Sequence, residues 1–536
     1  MKRYKFIFIT GGVISSLGKG IATSSIGRML KDRGFKVTLL KIDPYINIDP
    51  GTLSPYQHGE VFVTIDGGET DLDLGHYERF VGINLQKINN FTTGQVYYSV
   101  IEKERRGDYN GKTVQVVPHI IDEIINRIKQ VPQKTGSEIL ITELGGTIGD
   151  IESQPFTEAI RQIKLRLNKE NFLLIHLVLV PYIKTAGELK TKPAQHSVKK
   201  LNELGLQPDI LLCRTEKRLP KAIKEKISLF TNVEDEAVIN AIDVDNIYEI
   251  PLNLKKEGLD RIIIEKLNLT PKKDDNKWEL LLNRMNNIKE SVTIGLVGKY
   301  IELHDAYISI TAALKHGGIA NDVNINIKWI KAEDFEENKS KILDEVCGII
   351  VPGGFGERGV EGKISAVKFV RENKIPFLGI CLGMQCAVIE FARNVIKLED
   401  AHSSEFKSDC KNPVIDIIED KKNIKNIGGT LRLGGYKCKL RNNTLAKSIY
   451  KKDEIIERHR HRYEFNNKYR DIYEKNGMIF SGIYEEKDLV EIVEIPDHPF
   501  FIGVQFHPEF QSRPDNPHPL FSTFIKKSIE YCKEKN

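Results

Sequence analysis

Two strings toward the end of the chain combine the residue types of a thiol nucleophile and its base. Cys381 follows the apolar run Phe377-Leu-Gly-Ile380 and precedes a glycine and an apolar helical pattern. A sharp strand-to-helix turn exposes such a side chain, and a helix N-terminus favours its thiolate form. His507 and Glu509 follow another apolar run, and the His-x-Glu spacing lets the carboxylate orient the imidazole. These residues predict a catalytic cysteine with a base and an orienting acid.

A glycine-rich string adds a third part to this arrangement. Gly353, Gly354 and Gly356 follow the apolar run that ends at Val351. Their backbone N–H groups suit an oxyanion hole. Cys386 falls inside the helical pattern after Cys381, so we expect it to be a small core residue.

A string near the N-terminus predicts a phosphate-binding loop. It reads Gly11-Gly-Val-Ile-Ser-Ser-Leu-Gly-Lys-Gly20 and lies between a β-rich run and a helical pattern that Gly34 ends. Inward N–H groups and the helix N-terminus attract phosphate, and Lys19 is expected to reach the outer phosphates. Gly20 replaces the hydroxyl that binds magnesium in the common P-loop, so other side chains must hold the metal. A glycine-rich turn without a ligand is the alternative.

Charged residues downstream are candidates for the metal and for a second polyphosphate. The string from Asp66 to Asp73 is rich in carboxylates, and Glu143 follows a buried-type strand, at the sheet edge where nucleotide metals lie. Lys190 and Lys192 stand close together after another apolar run. Solvated surface charge is the alternative for the acidic string and for the lysines.

The elements that must position these residues alternate between β-rich runs and helical patterns in both halves of the chain. This alternation predicts an α/β fold with mainly parallel sheets. The alternation restarts at Val292 after a polar stretch, and a helix ended by Gly317-Gly318 is expected there. We predict two tandem domains, residues 1–267 and 291–536, joined by a linker at 268–290.

The composition excludes several classes of protein. The 536 residues predict three to four domain-sized units, and 40% apolar with 29% charged residues are typical of a globular protein. The 79 basic and 74 acidic residues leave a net charge of +5, which is too small to indicate nucleic acid or a membrane surface. Seven cysteines without a CxxC pair predict reduced thiols and a cytoplasmic location. The longest apolar run is half of the ~20 residues that a membrane helix needs.

The chain resembles the CTP synthase family over nearly its whole length. The strings that carry the resemblance are residues 10–20, 41–47, 57–63, 70–79, 90–94, 103–108, 145–152 and 457–464. The resemblance implies an N-terminal, P-loop-type, Rossmann-like amidoligase domain and a C-terminal, flavodoxin-like class I glutamine amidotransferase domain. It also implies a cytoplasmic ligase of pyrimidine biosynthesis that converts UTP, ATP and glutamine to CTP, ADP, phosphate and glutamate.

The resemblance implies an ATP site with magnesium. Lys19 and Lys41 are expected to bind and polarise the phosphates. Asp73 and Glu143 are expected to hold Mg²⁺. The implied ATP-binding set is Ser16, Leu17, Gly18, Lys19, Gly20, Ile21, Lys41, Asp73, Arg214 and Asp243.

The resemblance implies a second nucleotide site, for UTP and for CTP as feedback inhibitor. Its lysines are expected to bind the triphosphate. The implied set is Ser15, Asp150, Ile151, Glu152, Lys190, Thr191, Lys192, Gln195 and Lys226. Ala194 stands where the family often has threonine, which affects one nucleotide contact at most.

In the second domain, the resemblance makes Cys381, His507 and Glu509 a catalytic triad. The implied glutamine-binding set is Gly354, Leu382, Gly383, Met384, Gln385, Glu405 and Arg462, with Gly354 and Leu382 as oxyanion donors. His58 and Val61 match the constriction of an ammonia passage between the domains. GTP is the implied allosteric activator, near residues 355–361. The implied assembly is a homotetramer with the UTP site shared between subunits, and family members also form filaments.

The chemistry accounts for these residue types. Oxygen 4 of uracil is a poor leaving group, so ATP phosphorylates it, and phosphoryl transfer needs positioning and charge neutralisation. Ammonia is mostly ammonium at neutral pH, so it must be made nearby and carried in a protected passage. Cys381 attacks the glutamine amide, His507 protonates the leaving ammonia, and water releases glutamate.

Two other functions share some of these features. A P-loop amidotransferase that acts on a carboxylate, such as a corrin side chain, needs the loop and the thiol domain but does not predict Lys190, Lys192 or residues 57–63. A nucleotide-sensing or filament-forming scaffold is the second, and the intact catalytic residues count against it. The arginine-rich string at 457–462 suggests nucleic acid, but a short basic run inside a folded domain more often binds a carboxylate, so no nucleic-acid substrate is expected.

Overall fold

The computed structural model describes residues 4–299, 301–335, 345–417 and 431–535. The chain forms two compact units: Met1–Pro50 with Asp73–Leu282, and Gly51–Leu72 with Asn283–Asn536. The segment Gly51–Leu72 therefore clusters with the C-terminal unit, although the chain on both sides of it belongs to the first. The domain boundaries expected from the sequence stay predictions.

The strands, numbered along the chain, include each β-rich run that the sequence indicates. They are β1 (Lys5–Gly11), β2 (Val37–Asp43), β3 (Phe62–Val63), β4 (Glu69–Thr70), β5 (Asn90–Thr92), β6 (Ile139–Leu144), β7 (Phe172–Leu179), β8 (Tyr182–Ile183), β9 (Glu188–Leu189), β10 (Ile210–Thr215), β11 (Val238–Ile242), β12 (Glu290–Gly298), β13 (Val323–Lys331), β14 (Gly348–Val351), β15 (Phe377–Ile380), β16 (Ala401–Ser403), β17 (Asn412–Ile417), β18 (Arg432–Leu440), β19 (Glu454–His461), β20 (Tyr463–Phe465), β21 (Ile479–Tyr484), β22 (Leu489–Glu494) and β23 (Phe501–Val504).

The α-helices of the described residues are numbered in the same way. They are α1 (Lys19–Asp32), α2 (Pro55–His58), α3 (Asp73–Val81), α4 (Thr93–Arg105), α5 (Ile121–Thr135), α6 (Gln154–Arg166), α7 (Lys192–Glu203), α8 (Lys221–Thr231), α9 (Ile250–Lys256), α10 (Leu259–Lys266), α11 (Lys277–Asn287), α12 (Ile308–Ala320), α13 (Val360–Glu372), α14 (Leu382–Phe391), α15 (Leu445–Tyr450), α16 (Arg470–Lys475) and α17 (Pro519–Lys535). Within this part of the chain, no helix is both long enough and apolar enough to cross a bilayer.

The first unit is built on a parallel sheet with the strand order β11–β10–β7–β1–β6–β2–β5. Its central strands are buried along nearly their whole length, as a sheet covered by helices on both faces requires. Glu143 of β6 pairs in register with Ile9 of β1 and with Lys41 of β2. The carboxyl ends of the central strands thus bring the phosphate loop, an acid and a lysine to one edge. The predicted parallel sheet is confirmed.

The second unit has a mixed sheet with the order β13–β12–β14–β15–β23–β22–β21–β18–β19. The first five strands are parallel and the last four are antiparallel to their neighbours. The carboxyl ends of β14, β15 and β23 lead into the glycine-rich loop, Cys381 and the His507 turn. The predicted parallel core is therefore present, with an antiparallel extension that the sequence pattern did not reveal.

The polar stretch at residues 269–276 has neither helix nor strand, as predicted, and α11 follows it. Trp278 of this helix is buried and donates its indole N–H to Tyr248 O at 3.0 Å. The Arg28 guanidinium lies 4.7 Å from the centre of the indole. The start of α11 therefore packs within the first unit.

The predicted end of a helix at Gly317-Gly318 is wrong, because α12 continues to Ala320. A Cβ on Gly317 would lie 2.9 Å from Phe521 O, and one on Gly318 would lie 2.6 Å from Val323 O. These glycines therefore permit close packing against α17 and β13 instead of stopping the helix.

The expectation of reduced thiols is wrong for one pair of cysteines. Cys347 and Cys532 form a disulfide that joins the start of β14 to α17 across 185 residues of sequence. Among the described residues, the other five cysteines are free, Cys381 included. Two cysteines this far apart in sequence give no pairing signal until the fold brings them together.

Replacing Gly318 by alanine tests the packing role of these glycines. The added Cβ would overlap the Val323 carbonyl, so we expect a lower free energy of unfolding by about 1–3 kcal/mol. Thermal melting measures this loss. Lys315→Ala, at an exposed position of the same helix, should leave the melting temperature unchanged, and an equal loss in both variants would contradict the packing argument.

Candidate active sites

The glycine-rich loop between β1 and α1 requires its glycines at several points. A Cβ on Gly12 would lie 1.8 Å from Ser197 Oγ, and Gly18 has a φ of +93°. Val13 and Ser16 also have positive φ angles, of 80° and 56°, which costs a side chain of this kind of order 1–3 kcal/mol. Local strain of this size is typical of loops that a ligand and the surrounding structure hold in place.

Arg214 of β10 ties this loop to the far end of the sheet. Its Nη1 donates to Ser16 O at 2.9 Å, and its Nε donates to Asp243 Oδ1 at 2.9 Å. The structure thus brings three residues of the predicted ATP set together beside the loop. Sequence distance hides this contact, because the first two are 198 residues apart.

Lys19 and Lys41 place two ammonium groups at the carboxyl edge of the sheet. Lys19 is largely buried and donates to Gly146 O at 2.8 Å; its burial lowers its pKa. Lys41 forms ion pairs with Asp73 and with Glu143, the latter at 3.0 Å. Two positive charges and two carboxylates therefore converge where the loop ends.

The position of Asp73 explains why Gly20 stands where the common P-loop has serine or threonine. A Cβ on Gly20 would lie 2.0 Å from Asp73 Oδ1, so a serine or threonine here would push this carboxylate away. The loop therefore lacks the hydroxyl that binds magnesium in the common P-loop, and the Asp73 carboxylate approaches the loop at this position instead. Burial disfavours the charged form of Asp73, but Lys41 and other neighbouring cations still bring its pKa below the usual value.

Glu143 completes this arrangement from the sheet. It is fully buried, it accepts a hydrogen bond from the Tyr77 hydroxyl, and burial raises its pKa despite Lys41. Within the described part of the chain, no group of three or more acidic, histidine or cysteine side chains is set to hold a metal ion. Two carboxylates nevertheless fit Mg²⁺, which takes oxygen ligands and fills its remaining positions with water and phosphate oxygens.

The predicted UTP residues lie on neighbouring loops and helices of the same unit. Glu188 pairs with Lys190, and both Lys190 and Lys226 lower its pKa. Thr191 and Gln195 are buried at the start of α7 and hydrogen-bond to each other at 3.0 Å. The turn at residues 149–152 lies close to the same helix, since a Cβ on Gly149 would contact Lys200 at 3.3 Å. The turn at residues 149–152 and the predicted UTP residues Thr191 and Gln195 therefore all lie at or near α7.

Cys381 stands at a strained strand-to-helix turn, as predicted. It has φ +52° and ψ −104°, immediately before α14, a conformation rare for a non-glycine residue. Its N–H donates to Val504 O at 2.7 Å, and the Gln505 amide lies 3.7 Å from its sulfur. Cys386 is fully buried in α14, and burial raises its pKa to about 12. The first thiol is thus presented for chemistry, and the second is an inert core residue.

His507 and Glu509 are brought to this thiol by the loop after β23. His507 Nδ1 donates to Glu509 Oε1 at 2.7 Å, and both residues are largely buried. A Cβ on Gly353 would lie 3.5 Å from Cys381 Cβ and 3.7 Å from His507 Nε2, so this glycine borders both. Burial disfavours the imidazolium, but Glu509 and Cys381 together raise the pKa of His507 to about 10. The arrangement can hold a thiolate beside an imidazolium.

Two buried lysines that sequence reasoning missed brace the glycine-rich loop after β14. Lys363 is fully buried and donates to Pro352 O at 3.0 Å, and burial lowers its pKa to about 8. Lys299 donates to Phe355 O and to Gly356 O, the latter at 2.9 Å. By fixing these carbonyls, the ammonium groups set the direction of the peptide N–H groups around Gly354. A sequence signal exists for Lys363, which falls on the apolar face of α13 with Val360, Ile364 and Val367.

The predicted glutamine residues lie on the helix that follows Cys381 and near the glycine-rich loop after β14. Leu382, Gly383, Met384 and Gln385 form the first turn of α14, and the Gln385 amide donates to Tyr463 O at 2.9 Å. Burial raises the pKa of Glu405, against a hydrogen bond from Gly356 and the nearby Arg462. The structure therefore places Gln385 next to Gln505, which contacts Cys381, and places Glu405 near Arg462 and the glycine-rich loop.

Two more sets of predicted residues belong to the second unit: the ammonia-passage pair, His58 and Val61, and the segment 355–361 that is predicted for GTP. His58 ends α2, and Val61 precedes β3, both within the segment Gly51–Leu72. Phe355 is half-exposed beside the Arg460 guanidinium, which lies 4.8 Å from its ring centre. Within the arginine-rich string, Arg458 is fully buried and Arg460 pairs with Glu69.

Comparison with known proteins adds independent findings. The family model described as CTP synthase N-terminus matches residues 5–269, and the model described as Glutamine amidotransferase class-I matches residues 302–527. A CTP synthase from Clostridium kluyveri is 58% identical over 527 residues, 98% of each chain. One from Bacillus subtilis is 56% identical over 533 residues, 99% of this chain and 100% of its own. A solved glutaminase domain of Trypanosoma brucei CTPS with bound acivicin is 37% identical, with a TM-score of 0.43, covering 45% of this chain and 94% of that chain.

Replacing Glu509 by glutamine tests the electrostatic link to Cys381. Loss of the carboxylate charge should bring the pKa of His507 down from about 10 toward its usual value. The imidazolium would then disappear at a lower pH, and with it the charge that favours the thiolate. We expect slower alkylation of Cys381 by iodoacetamide between about pH 7 and 9 in the variant than in the wild type.

Mass spectrometry of the labelled peptide distinguishes Cys381 from the other free cysteines. Glu486→Gln is the control, since Glu486 contacts Tyr484 on another loop, and it should keep the wild-type profile. Identical profiles for Glu509→Gln and the wild type would contradict the link.

Proposed function

The chain belongs to the CTP synthase family, a family of glutamine-hydrolysing ligases that make CTP from UTP with ATP, and we propose how its residues divide this reaction. The observation that carries the proposal is the presence of two chemically different sites in separate compact units. One joins a phosphate loop to paired lysines and carboxylates, and the other joins a thiol to an imidazole and an acid. The chain therefore has the groups for both half-reactions, whereas an enzyme that amidates a carboxylate would have no use for the second nucleotide site.

In the first unit, the residues of the loop bind ATP and prepare phosphoryl transfer to oxygen 4 of UTP. The N–H groups of the loop hold phosphate oxygens, and Lys19 and Lys41 offset the charge that develops during transfer. Asp73 and Glu143 would hold Mg²⁺, which when bound neutralises phosphate charge. Arg214 and Asp243 lie beside the loop to receive the nucleoside.

UTP binds around α7 in this proposal. Lys190, Lys192 and Lys226 supply positive charge for the triphosphate, and the turn at residues 150–152 lies near the pyrimidine nucleotide. CTP, the product, shares the triphosphate with UTP, so the same lysines would hold it as a feedback inhibitor. Binding of labelled CTP that UTP displaces would support this overlap.

In the second unit, Cys381 attacks the side-chain amide of glutamine. The N–H groups of Gly354 and Leu382 stabilise the oxyanion, and Gln385, Glu405 and Arg462 hold the substrate. His507 gives its proton to the leaving ammonia and then takes one from the water that releases glutamate, while Glu509 fixes its tautomer. The breaking C–N bond is replaced first by a thioester and then by the carboxylate of glutamate.

Ammonia passes to the phosphorylated UTP through a protected route that His58 and Val61 line. GTP activates hydrolysis by binding near residues 355–361, where a half-exposed Phe355 and Arg460 offer a stacking surface. A rise in glutamate formation on addition of GTP would support this site. Loss of the response in Phe355→Ala, with basal hydrolysis retained, would assign it to this segment.

The active protein is a cytoplasmic homotetramer that can extend into filaments. The first unit exposes large apolar side chains that a partner would cover, as is typical of obligate interfaces. They include Tyr98, Ile101, Ile151, Leu229 and Phe230, each more than half exposed. Sedimentation in the presence of UTP and ATP measures the assembly.

Replacing Cys381 by alanine tests the division of the reaction. Without the thiol, no thioester forms, so we expect CTP formation with glutamine to fall to background. Ammonia added as an ammonium salt bypasses this step, so CTP formation from UTP, ATP and ammonia should remain at the wild-type rate. Cys386→Ala is the matched control and should retain both activities. Loss of both activities in Cys381→Ala would contradict the division.

Replacing Asp73 by asparagine tests the other site. The variant loses one oxygen charge beside Lys41, so we expect CTP formation to fall about 100-fold or more with either nitrogen source, a loss of ~3 kcal/mol of transition-state stabilisation. Basal glutamine hydrolysis should persist. Titration with Mg²⁺ should show a weaker dependence on the metal than in the wild type.

Asp122→Asn, an exposed change of the same kind on α5, should alter none of these rates. A normal rate of CTP formation in Asp73→Asn would refute the metal site.

A further inference from the structure

The segment Gly51–Leu72 is fixed to the second unit by hydrogen bonds from several elements. The N–H of Glu60 donates to Asp305 O at 3.0 Å, and the Ser309 N–H donates to Glu60 Oε2 at 3.2 Å. Gly435 N–H donates to Ile65 O at 2.8 Å. A Cβ on Gly434 would lie 2.5 Å from Gly67 N, so the backbones touch. This part of the N-terminal sequence is built into the glutaminase unit.

Aromatic rings connect this segment to the catalytic imidazole. Phe62 of β3 is fully buried, and its ring meets Phe510 edge-on, with 5.1 Å between the centres and 67° between the planes. Phe510 in turn stacks on His507, at 5.2 Å and 18°. One ring therefore separates the inserted segment from the base.

Arg458 makes a second connection between the inserted segment and His507. It is fully buried; its Nη1 donates to Val63 O at 3.0 Å, and its guanidinium lies 5.4 Å from the ring centre of Phe62. Its own carbonyl accepts the N–H of His507 at 2.7 Å. The strand β19 thus links β3 to the backbone of the base.

These contacts restrict a rotation of the His507 ring that the hydrogen bond to Glu509 alone does not prevent. The bond from Glu509 fixes one ring nitrogen of His507 but allows the ring to turn about that direction. A ring stacked on its face holds the plane of the imidazole, and therefore the direction of Nε2. The inserted segment ends at Leu72, and the next residue is Asp73, which bonds to Lys41 in the nucleotide site. The brace on the base is thus covalently continuous with the synthetase machinery.

We propose that the segment Gly51–Leu72 is a working part of the glutaminase site, and that Phe62, Phe510 and Arg458 are positioning residues through which it sets the orientation of His507. The inference rests on the proposed function for the identity of the base.

Phe62→Leu in the full-length protein tests this proposal. The leucine keeps an apolar side chain but removes the edge of the ring that meets Phe510. We expect kcat for glutamine hydrolysis to fall about tenfold or more, since small misplacements of a catalytic group are costly, with KM for glutamine within about twofold of the wild type. Alkylation of Cys381 should slow, because the misdirected imidazole favours the thiolate less. CTP formation from added ammonia should be unchanged.

Phe524→Leu is the matched control. Phe524 is fully buried in the same unit and packs on Phe500, with 5.7 Å between the ring centres, so it carries a similar loss of packing away from His507. Phe524→Leu should retain the wild-type kcat and the wild-type alkylation rate of Cys381. Arg458→Lys, which keeps the charge but not the fork of donors, should reproduce the pattern of Phe62→Leu.

The proposal is overturned if Phe62→Leu keeps the wild-type kcat and alkylation rate, or if Phe62→Leu and Phe524→Leu lose kcat equally. The melting temperature and the rate of CTP formation from ammonia identify any variant that fails to fold. If Phe62→Leu fails to fold, the kcat of Arg458→Lys for glutamine hydrolysis tests the proposal in its place. If the wild type makes no CTP from ammonia, the proposed function fails. The alkylation rates of Cys381 then still test whether Phe62 positions His507.

Discussion

A buried charge needs a partner, and both sites depend on this constraint. Lys41 has a low-energy place in the first unit only because Asp73 and Glu143 surround it, and His507 holds its proton in the second because Glu509 lies 2.7 Å away. Removing either partner would leave a charge in a region of low polarity, at a cost of several kcal/mol. The ion pairs that satisfy this constraint also hold the groups to which we assign the chemistry, so in the proposed mechanism stability and catalysis depend on the same contacts.

Much of this arrangement follows from the sequence. The loop around Lys19 and the strand ends before Cys381 and His507 are local patterns, and parallel strands deliver their last residues to one edge. The antiparallel extension, the disulfide and the brace by Lys299 depend on contacts between distant residues, which no local pattern encodes. Gly317 and Gly318 misled the prediction for a related reason: a glycine needed for close packing looks the same in sequence as one that ends a helix.

The inserted segment is the clearest case of this limit. Residues 57–63 carry a family resemblance, but nothing in their sequence says that Phe62 and Val63 contact Phe510 and Arg458, the two residues that adjoin His507. The proposed base, His507, is braced through Phe510 by a segment whose next residue, Asp73, pairs with Lys41.

The central claim is that nitrogen released at Cys381 reaches carbon 4 of UTP without mixing with the solution. Glutamine labelled with ¹⁵N in its amide, supplied together with unlabelled ammonium, tests it most directly when mass spectrometry reads the label in CTP. The account predicts that nearly all CTP made at the expense of glutamine carries ¹⁵N, in equal amount to the glutamate formed. An amount of ¹⁵N-labelled CTP far below the amount of glutamate formed, with the missing label found in the ammonium of the solution, would contradict it.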